Sequence, residues 1–218
     1  MSKPGIYIPL ITPLNSDHQV CRNSVGQLLA QSQYAASGYL PCLTSGEGWL
    51  LNRQQWRDMM RYTLELAGDK QVIVGIERAT TTEVLDYALE AQQLGAKAVM
   101  LTTPFGAEVD GTQSLHHFKT IQEQTQLDLY IYNESSLSGN DTSFESLLAI
   151  ASLARVKGIK DSLEQGRNEE QIHALRGQGL AYYSGWEHHL ASCHVADGSV
   201  VSLANLEPAL CLLASTLK

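Results

Sequence analysis

Short apolar segments alternate with longer amphipathic segments along the whole chain, and this alternation constrains the fold more than any other feature. Eight short segments have the length and the β-branched or aromatic content of strands, and several are almost continuously apolar, as strands buried on both faces are. Eight units with a mean length of about 27 residues are typical of a (β/α)8 barrel. We therefore predict an α/β fold, a single (β/α)8 TIM barrel domain over residues 1–218, with strands at Ile6–Thr12, Tyr39–Thr44, Gln71–Ile76, Ala98–Thr103, Leu127–Tyr132, Val156–Lys160, Leu180–Ser184 and Ser199–Leu203.

Helical spacing of apolar residues separates the predicted strands. Residues 84–94 carry apolar side chains at steps of three and four, and Thr81 or Thr82 can cap this helix. A similar pattern over residues 28–36 follows Asn23-Ser24. Three glycines stand just after predicted helices, where a left-handed residue is favoured: Gly38, Gly68 and Gly95. The remaining helices are predicted at Arg53–Leu66, Gln113–Gln124, Ser143–Ser152, Asn168–Leu175, Glu187–Val195 and Glu207–Leu217.

A doubly wound open sheet shows the same alternation of strands and helices, so the period alone leaves both folds open. The loop after the first predicted strand distinguishes them. It reads Thr12-Pro13-Leu14 rather than the glycine-rich sequence of a dinucleotide-binding or phosphate-binding loop, and this favours the barrel.

Charge and cysteine usage limit the classes of partner and the compartment. The formal net charge is −8, and no cluster of lysine or arginine appears, which argues against nucleic acid or an anionic membrane as a partner. No apolar run reaches the roughly 20 residues of a membrane helix, and the first residues do not resemble a signal peptide. Cys21, Cys42, Cys193 and Cys211 are scattered without metal-binding spacing, so we expect reduced thiols and a cytoplasmic location.

Lys160 ends a short apolar strand, at the edge where a barrel of this kind carries its chemistry. Strand alternation places Gly158 and Lys160 on one face and Ile159 on the other. If that face is the barrel interior, loss of water favours the neutral amine, which is a nucleophile for a carbonyl carbon. The alternative is a structural lysine that extends to solvent or pairs with Asp161.

Two other strand ends carry groups suited to the same chemistry. Tyr132 ends the fifth predicted strand, where a phenol can transfer protons, although an ordinary aromatic strand residue gives the same pattern. Thr44-Ser45-Gly46 follows the second strand and supplies two hydroxyls and an accessible backbone, which suit a carboxylate. The alternative for this segment is a polar turn.

These segments resemble the class I aldolase superfamily that contains dihydrodipicolinate synthase, N-acetylneuraminate lyase and 2-keto-3-deoxygluconate aldolase. The resemblance extends from about Ile8 to Pro208, and its motifs fall in order at the expected strand ends. They are Leu10–Leu14, Thr44–Glu47, Thr102–Phe105, Tyr132-Asn133 with Gly139, Gly158–Ser162, Ser184-Gly185 and Asp197–Val200 with Asn205 and Pro208.

The resemblance implies a pyruvate-dependent lyase or aldolase acting on a small-molecule 2-oxo acid. It implies that Lys160 forms a Schiff base with the ketone and that Tyr132 transfers protons. It implies no metal and no organic cofactor, and a homodimer or homotetramer. The substrate-binding residues implied are Thr44, Ser45, Gly46, Ser162, Gly185 and Val200.

Departures from the family pattern bear on the second substrate. Leu137 stands where the synthase has its carboxylate-binding arginine, and Phe105-Gly106 replaces the two tyrosines that follow its fourth strand. These changes imply a protein that is not a true dihydrodipicolinate synthase and lies slightly nearer the ketodeoxygluconate aldolases. The chain also ends at Lys218, so we expect the family's C-terminal helical extension to be largely absent. The alternative is a degenerate barrel that binds a 2-oxo acid or a protein partner without turnover.

Other residues invite different functions. Glu187, His188, His189 and His194 are of metal-binding type, but their spacing does not fit one face of a helix, and His116-His117 is an adjacent pair. A phosphate could bind between Ser184-Gly185 and Gly198-Ser199, because barrels often use the last two loops in this way. Trp49 is equally suited to lining a pocket and to packing.

Overall fold

Eight parallel strands close into one barrel in chain order in the computed structural model, which describes residues 5–192 and 194–217. Strand β8 pairs with β1, and this pairing excludes the open sheet and confirms the predicted (β/α)8 barrel. The strands are β1 (Gly5–Pro9), β2 (Ala36–Leu40), β3 (Gln71–Ile76), β4 (Ala98–Leu101), β5 (Asp128–Asn133), β6 (Val156–Asp161), β7 (Ala181–Ser184) and β8 (Gly198–Val200).

The helices surround the barrel, and several begin at well-defined caps. Asn52, Thr80 and Asp110 each accept a hydrogen bond from a backbone N–H of the first turn and form capping boxes. Thr80 therefore takes the cap predicted for Thr81 or Thr82. The helices are α1 (Arg22–Ser32), α2 (Arg53–Leu66), α3 (Thr81–Gln93), α4 (Gly111–Gln124), α5 (Ser135–Ser138), α6 (Phe144–Ala151), α7 (Glu169–Gly177) and α8 (Pro208–Ala214).

The predicted helix Glu187–Val195 is wrong for the part of this segment that the structure describes. Only a 3-10 turn forms, over Glu187–His189, and the carboxylate of Glu187 accepts hydrogen bonds from the backbone N–H groups of Ser202 and Leu203. Glu187 thus stabilises the turn after β8 rather than the start of a helix. The extra helix is α5, which follows β5 and precedes α6.

Four predicted strands end earlier than expected: β1 stops at Pro9, β4 stops at Leu101, and two others stop just before a 3-10 turn. Strand β2 stops at Leu40, and Thr44 opens a 3-10 turn over Thr44–Gly46. Strand β8 stops at Val200 and is followed by a 3-10 turn over Ser202–Asn205. The polar residues at both strand ends therefore lie on short turns at the mouth of the barrel.

Gly38 is not a helix cap, because it lies inside β2, where an added Cβ would come within 2.8 Å of the Tyr7 ring. Its lack of a side chain lets the ring pack against the strand. Gly68 and Gly95 do have positive φ angles, 64° and 95°, after their helices, as predicted.

Two layers of side chains form the core. The outer layer packs between the strands and the helices and includes Ile8, Trp56 and Phe118. The inner layer fills the barrel and contains Leu40, Leu43, Ile73, Ala98, Met100, Tyr130, Tyr132, Tyr183 and Val200. Because the interior is packed, the polar side chains at the carboxyl ends of the strands lie above a closed apolar floor.

Candidate active site

Lys160 lies near the end of β6 with its side chain inside the barrel. It pairs in register with Tyr132 of β5 and Tyr183 of β7, and it is 5% exposed. Its Nζ lies 3.8 Å from the centroid of the Tyr132 ring. Such a contact holds a cation against the negative face of the ring. The interpretation of Lys160 as a side chain that reaches solvent is therefore wrong.

Asp161, the other partner considered for Lys160, is occupied elsewhere. Its Oδ2 accepts a hydrogen bond of 2.5 Å from Nε of Arg167, and its Oδ1 accepts one of 2.9 Å from Nδ2 of Asn133. Both members of the ion pair are almost fully buried. Within residues 5–192 and 194–217, no carboxylate lies within ion-pairing distance of Lys160.

Two hydrogen bonds link the Tyr132 hydroxyl to a carboxyl group across the mouth of the barrel. The hydroxyl of Tyr132 lies 2.9 Å from Oγ1 of Thr44, and the Thr44 hydroxyl donates to Oε1 of Glu77 over 2.7 Å. With its own hydrogen donated to Glu77, Thr44 accepts from Tyr132. The two predicted residues Tyr132 and Thr44 are thus in direct contact.

Glu77, at the carboxyl end of β3, is a member of this cluster that the sequence did not single out. It is 2% exposed, and burial raises the pKa of its carboxyl to about 7. The hydrogen bond from Thr44 and the positive charges of Lys160 and Arg78 act in the opposite direction on this pKa. Its place at a strand end was visible in the sequence, but its hydrogen bond to Thr44 depends on the turn after β2.

The predicted carboxylate cradle, Thr44-Ser45-Gly46, forms a 3-10 turn that bonds to Glu77 through Thr44. An added Cβ on Gly46 would lie 2.5 Å from the Leu10 carbonyl oxygen, so only glycine fits between the first two loops. Thr12 donates a hydrogen bond to the Gly46 carbonyl, and the Ser45 and Ser202 hydroxyls lie 2.6 Å apart. Carboxylate binding by Thr44, Ser45 and Gly46 remains a prediction.

Ser162 and Gly185 lie beside Lys160, and Val200 is the last residue of β8. An added Cβ on Gly185 would lie 2.5 Å from Oγ of Ser162 and 3.2 Å from Cε of Lys160. Gly185 therefore leaves the space into which the lysine side chain extends. Val200 is buried in the inner core layer with Tyr132 and Tyr183. Substrate binding by these three residues remains a prediction.

An open cavity of about 550 Å³ lies at the carboxyl ends of β5 to β7. Its lining includes Asn133 and Ser162, the neighbours of Tyr132 and Lys160, together with Asp141 and Trp186. Lys160 itself does not line it. Leu137 lies on α5 and packs against the inner core layer, and the backbone N–H of Gly106 donates to the Ser138 carbonyl.

The histidines considered as metal ligands have other contacts. The rings of His188 and His189 are 4.1 Å apart, and Nδ1 of His189 lies 3.2 Å from Oγ of Ser184. Within the described part of the chain, no group of three or more ligand-type side chains could hold a metal ion.

Trp49, considered for lining a pocket or for packing, is 41% exposed. No described helix is long and apolar enough to cross a membrane.

A (β/α)8 barrel with titratable side chains gathered at the strand ends defines the class of fold, and comparison with known proteins identifies the family. The family model described as "Dihydrodipicolinate synthetase family" matches residues 2–212. The chain belongs to the dihydrodipicolinate synthetase family, whose members are class I pyruvate-dependent aldolases and lyases. This confirms the family resemblance predicted from the motifs.

The relatives and the solved structures agree on this assignment. The 4-hydroxy-tetrahydrodipicolinate synthase of Nitrobacter hamburgensis is 30% identical over 223 residues, covering 98% of this chain and 74% of its own. The dihydrodipicolinate synthase of Acinetobacter baumannii, solved in complex with pyruvate, superimposes with a TM-score of 0.86 at 26% identity, covering 99% of this chain and 77% of its own. The 2-keto 3-deoxygluconate aldolase of Picrophilus torridus shares the fold, with a TM-score of 0.82 at 21% identity over 99% of this chain and 84% of its own.

Proposed function

We propose that this protein is a Schiff-base lyase or aldolase in which Lys160 condenses with pyruvate or another 2-oxo acid. The observation that carries the proposal is the buried Lys160 Nζ, 3.8 Å from the ring of Tyr132, whose hydroxyl contacts Thr44. An amine removed from water, next to a phenol, is the arrangement that carbonyl condensation requires. The relative from Acinetobacter baumannii was solved with pyruvate.

Each residue of the site has a separate role in the proposed reaction. Lys160 attacks the ketone carbon, and Tyr132 transfers protons as the carbinolamine loses water. Ser45 and Gly46, with the backbone of Thr44, hold the carboxylate of the 2-oxo acid. The protonated imine then accepts the electron pair of the C–C bond that is cleaved, or supplies the enamine for one that is formed, and the fixed geometry lowers the entropic part of the barrier.

We propose further that the second substrate differs from that of the synthases in the family. Leu137 is an apolar residue that packs against the inner core and offers no charge to a second carboxylate. The cavity beside Ser162 is lined by carboxylate and hydroxyl side chains, among them Glu134, Ser135 and Asp141. Such a lining suits a substrate rich in hydroxyl groups, such as a sugar acid.

Borohydride reduction tests the first half of the proposal. The protein is incubated with pyruvate and with longer 2-oxo acids, reduced, and weighed by mass spectrometry, and we expect one adduct per chain. Lys160→Ala should abolish it. Lys157→Ala is the matched control, because Lys157 lies on the same strand with an exposed side chain that donates to the Ala154 carbonyl. No adduct with any acid would refute the proposal.

Release of pyruvate tests the second half. A panel of sugar-derived 2-oxo acids is incubated with the protein, and pyruvate is measured with a coupled dehydrogenase. We expect release from at least one compound and none with Lys160→Ala. An adduct without release from any compound would favour the alternative, a degenerate barrel that binds the acid without turnover.

We also propose a homodimer or homotetramer. Several leucines at and around α8 are more than half exposed, including Leu206, Leu210 and Leu213. Exposed apolar groups of this size favour association with another surface. Light scattering on the purified protein should give two or four times the chain mass of 23.9 kDa; a monomer would refute it.

We propose the cytoplasm as the site of action. Cys21, Cys42 and Cys211 are unpaired thiols, which fits a reducing compartment. Fractionation of cells that express the tagged chain tests this, with recovery outside the cytoplasm as the contrary result.

A further inference from the structure

A buried carboxyl group, that of Glu77, is linked by two hydrogen bonds to Tyr132, whose ring contacts Lys160. Oε1 of Glu77 is 2.7 Å from the Thr44 hydroxyl, which is 2.9 Å from the Tyr132 hydroxyl, and the Tyr132 ring contacts Nζ of Lys160. Carboxyl, hydroxyl, phenol and amine thus form one continuous series. The residues come from the ends of β3, β5 and β6 and from the turn after β2.

The surroundings of Glu77 allow it to hold a proton. Its Oε2 is buried and has no hydrogen-bond partner among the residues that the structure describes. An ionised carboxylate with one unpaired oxygen is costly in a buried site, and a protonated carboxyl, which carries no charge, costs less. Burial accordingly raises the pKa of this group to about 7.

Neighbouring charged and titratable groups also act on the Glu77 pKa. Lys160 faces it from β6, and its positive charge lowers the Glu77 pKa. Arg78 acts in the same direction, but its guanidinium donates to the carbonyls of Gly48 and Leu51 rather than to the carboxylate. Cys42 is fully buried, and both burial and the charge of Glu77 raise the pKa of its thiol, so it stays neutral.

We propose that Glu77 is the proton store of the active site and supplies, through Thr44 and Tyr132, the proton that expels water when the imine forms. This inference rests on the proposed Schiff-base function of Lys160. Glu77 acts on the reacting atoms only through the hydroxyls of Thr44 and Tyr132, so it is a positioning residue and not a catalytic one. In the structure Tyr132 donates to Thr44 and Thr44 donates to Oε1 of Glu77, which is the arrangement left after the proton has moved. With the proton on Oε1, Glu77 donates to Thr44 and Thr44 to Tyr132 over the same two oxygen–oxygen distances.

Imine formation takes one proton from Glu77 for each water molecule released. The Lys160 ammonium first gives one proton to water, the lone pair of the resulting amine forms a bond to the ketone carbon, and the carbonyl π electrons move to oxygen. One amine proton transfers to that oxygen, and the resulting hydroxyl leaves as water with a second proton from Tyr132. Tyr132 regains a proton from Thr44, and Thr44 from Glu77. Amine, ketone and carboxylic acid become protonated imine, water and carboxylate, and the new carboxylate offsets the positive charge of the imine.

The pH dependence of imine formation in the Glu77→Gln variant tests the proposal. The rate is measured with pyruvate by borohydride quenching at successive times. The rate of the unmodified protein should fall above about pH 7, as Glu77 loses its proton. The variant should lack this decline, and below pH 7 it should be slower by about 100-fold. An unchanged profile with a rate within about twofold would overturn the proposal.

Control variants separate proton transfer from loss of structure. Glu108→Gln removes an exposed carboxylate from the same end of the barrel and should keep the decline near pH 7. Thr44→Ser retains a hydroxyl and should keep the decline, whereas Thr44→Val should remove it. If Glu77→Gln does not fold, the threonine pair decides: a decline retained in Thr44→Val would overturn the proposal. An unmodified protein without any adduct would refute the Schiff base and with it the relay, whereas an adduct with an unchanged variant profile would refute the relay alone.

Discussion

Gly185 has no side chain and so leaves room for the side chain of Lys160. An added methyl group would lie 2.5 Å from Oγ of Ser162 and 3.2 Å from Cε of Lys160. We predict that Gly185→Ala displaces the lysine and lowers the rate of pyruvate adduct formation by about tenfold or more, because small misplacements of a nucleophile are costly. Gly177→Ala is the control, since its Cβ would meet no atom within 4 Å. Equal adduct rates in the two variants would contradict the prediction.

The Tyr132 ring and its hydroxyl have separable roles. Tyr132→Phe keeps the ring under Nζ of Lys160 and removes the hydrogen bond to Thr44. We predict that the adduct still forms on Lys160 but about 100-fold more slowly, because general acid–base transfer typically contributes at least this much. The time course of borohydride trapping measures the effect. A rate equal to that of the unmodified protein would show that the hydroxyl takes no part.

At the scale of single residues, the sequence predicted part of the site. Lys160, Tyr132 and Thr44 stand at strand ends, and strand ends converge in a barrel, so their proximity followed from the fold. Glu77 stands at a strand end too, but its hydrogen bond to Thr44 depends on the turn over Thr44–Gly46, which the strand pattern did not contain. Val200, the last residue of β8, packs in the inner core layer with Tyr132, and its part in substrate binding stays a prediction.

At the scale of elements, the ion pair of Asp161 and Arg167 ties the end of β6 to the segment before α7. Their side chains are 0% and 6% exposed. We predict that Arg167→Met lowers the free energy of unfolding by about 3–5 kcal/mol, because it leaves a buried carboxylate without its cation. Urea denaturation measures this. Arg22→Met removes an exposed pair with Glu65 and should cost about 1 kcal/mol or less; equal losses would contradict the account.

The elements themselves were largely predictable, and the exceptions have physical causes. Helix α2 has the predicted bounds, because a capping box at Asn52 and a strong apolar spacing act together. The segment after β7 has helical composition, but Glu187 bonds to the turn after β8 instead. This hydrogen bond joins the loops after β7 and β8, 15 residues apart, and the local spacing of apolar residues does not predict it.

At the scale of the whole molecule, two buried groups give the stability opposite pH dependences. Burial raises the Glu77 pKa to about 7, so the folded state holds this proton more tightly than the unfolded state. Its contribution to stability is greatest below about pH 4.3 and is lost as the pH rises to about 7. Burial lowers the His117 pKa to about 4, so its contribution is present above about pH 6.5 and is lost as the pH falls to about 4.

Comparison with Glu77→Gln isolates the contribution of Glu77 to the pH dependence of stability. We predict that the free energy of unfolding of the unmodified protein, minus that of the variant, falls by about 3 kcal/mol between about pH 4.3 and 7. His117 contributes equally to both proteins and cancels. Urea denaturation at several pH values provides the measurement. A difference that is constant over this range would contradict the buried, proton-holding state of Glu77.

The central claim is that Lys160 is the residue that forms the imine, and peptide mapping of the borohydride-reduced pyruvate adduct tests it most directly. We predict that the added mass lies on the peptide containing Lys160 and on no peptide that carries another lysine of the chain. Fragmentation should place it on the side chain between Ile159 and Asp161. An adduct on Lys157 or any other lysine, or one that persists in Lys160→Ala, would contradict the account.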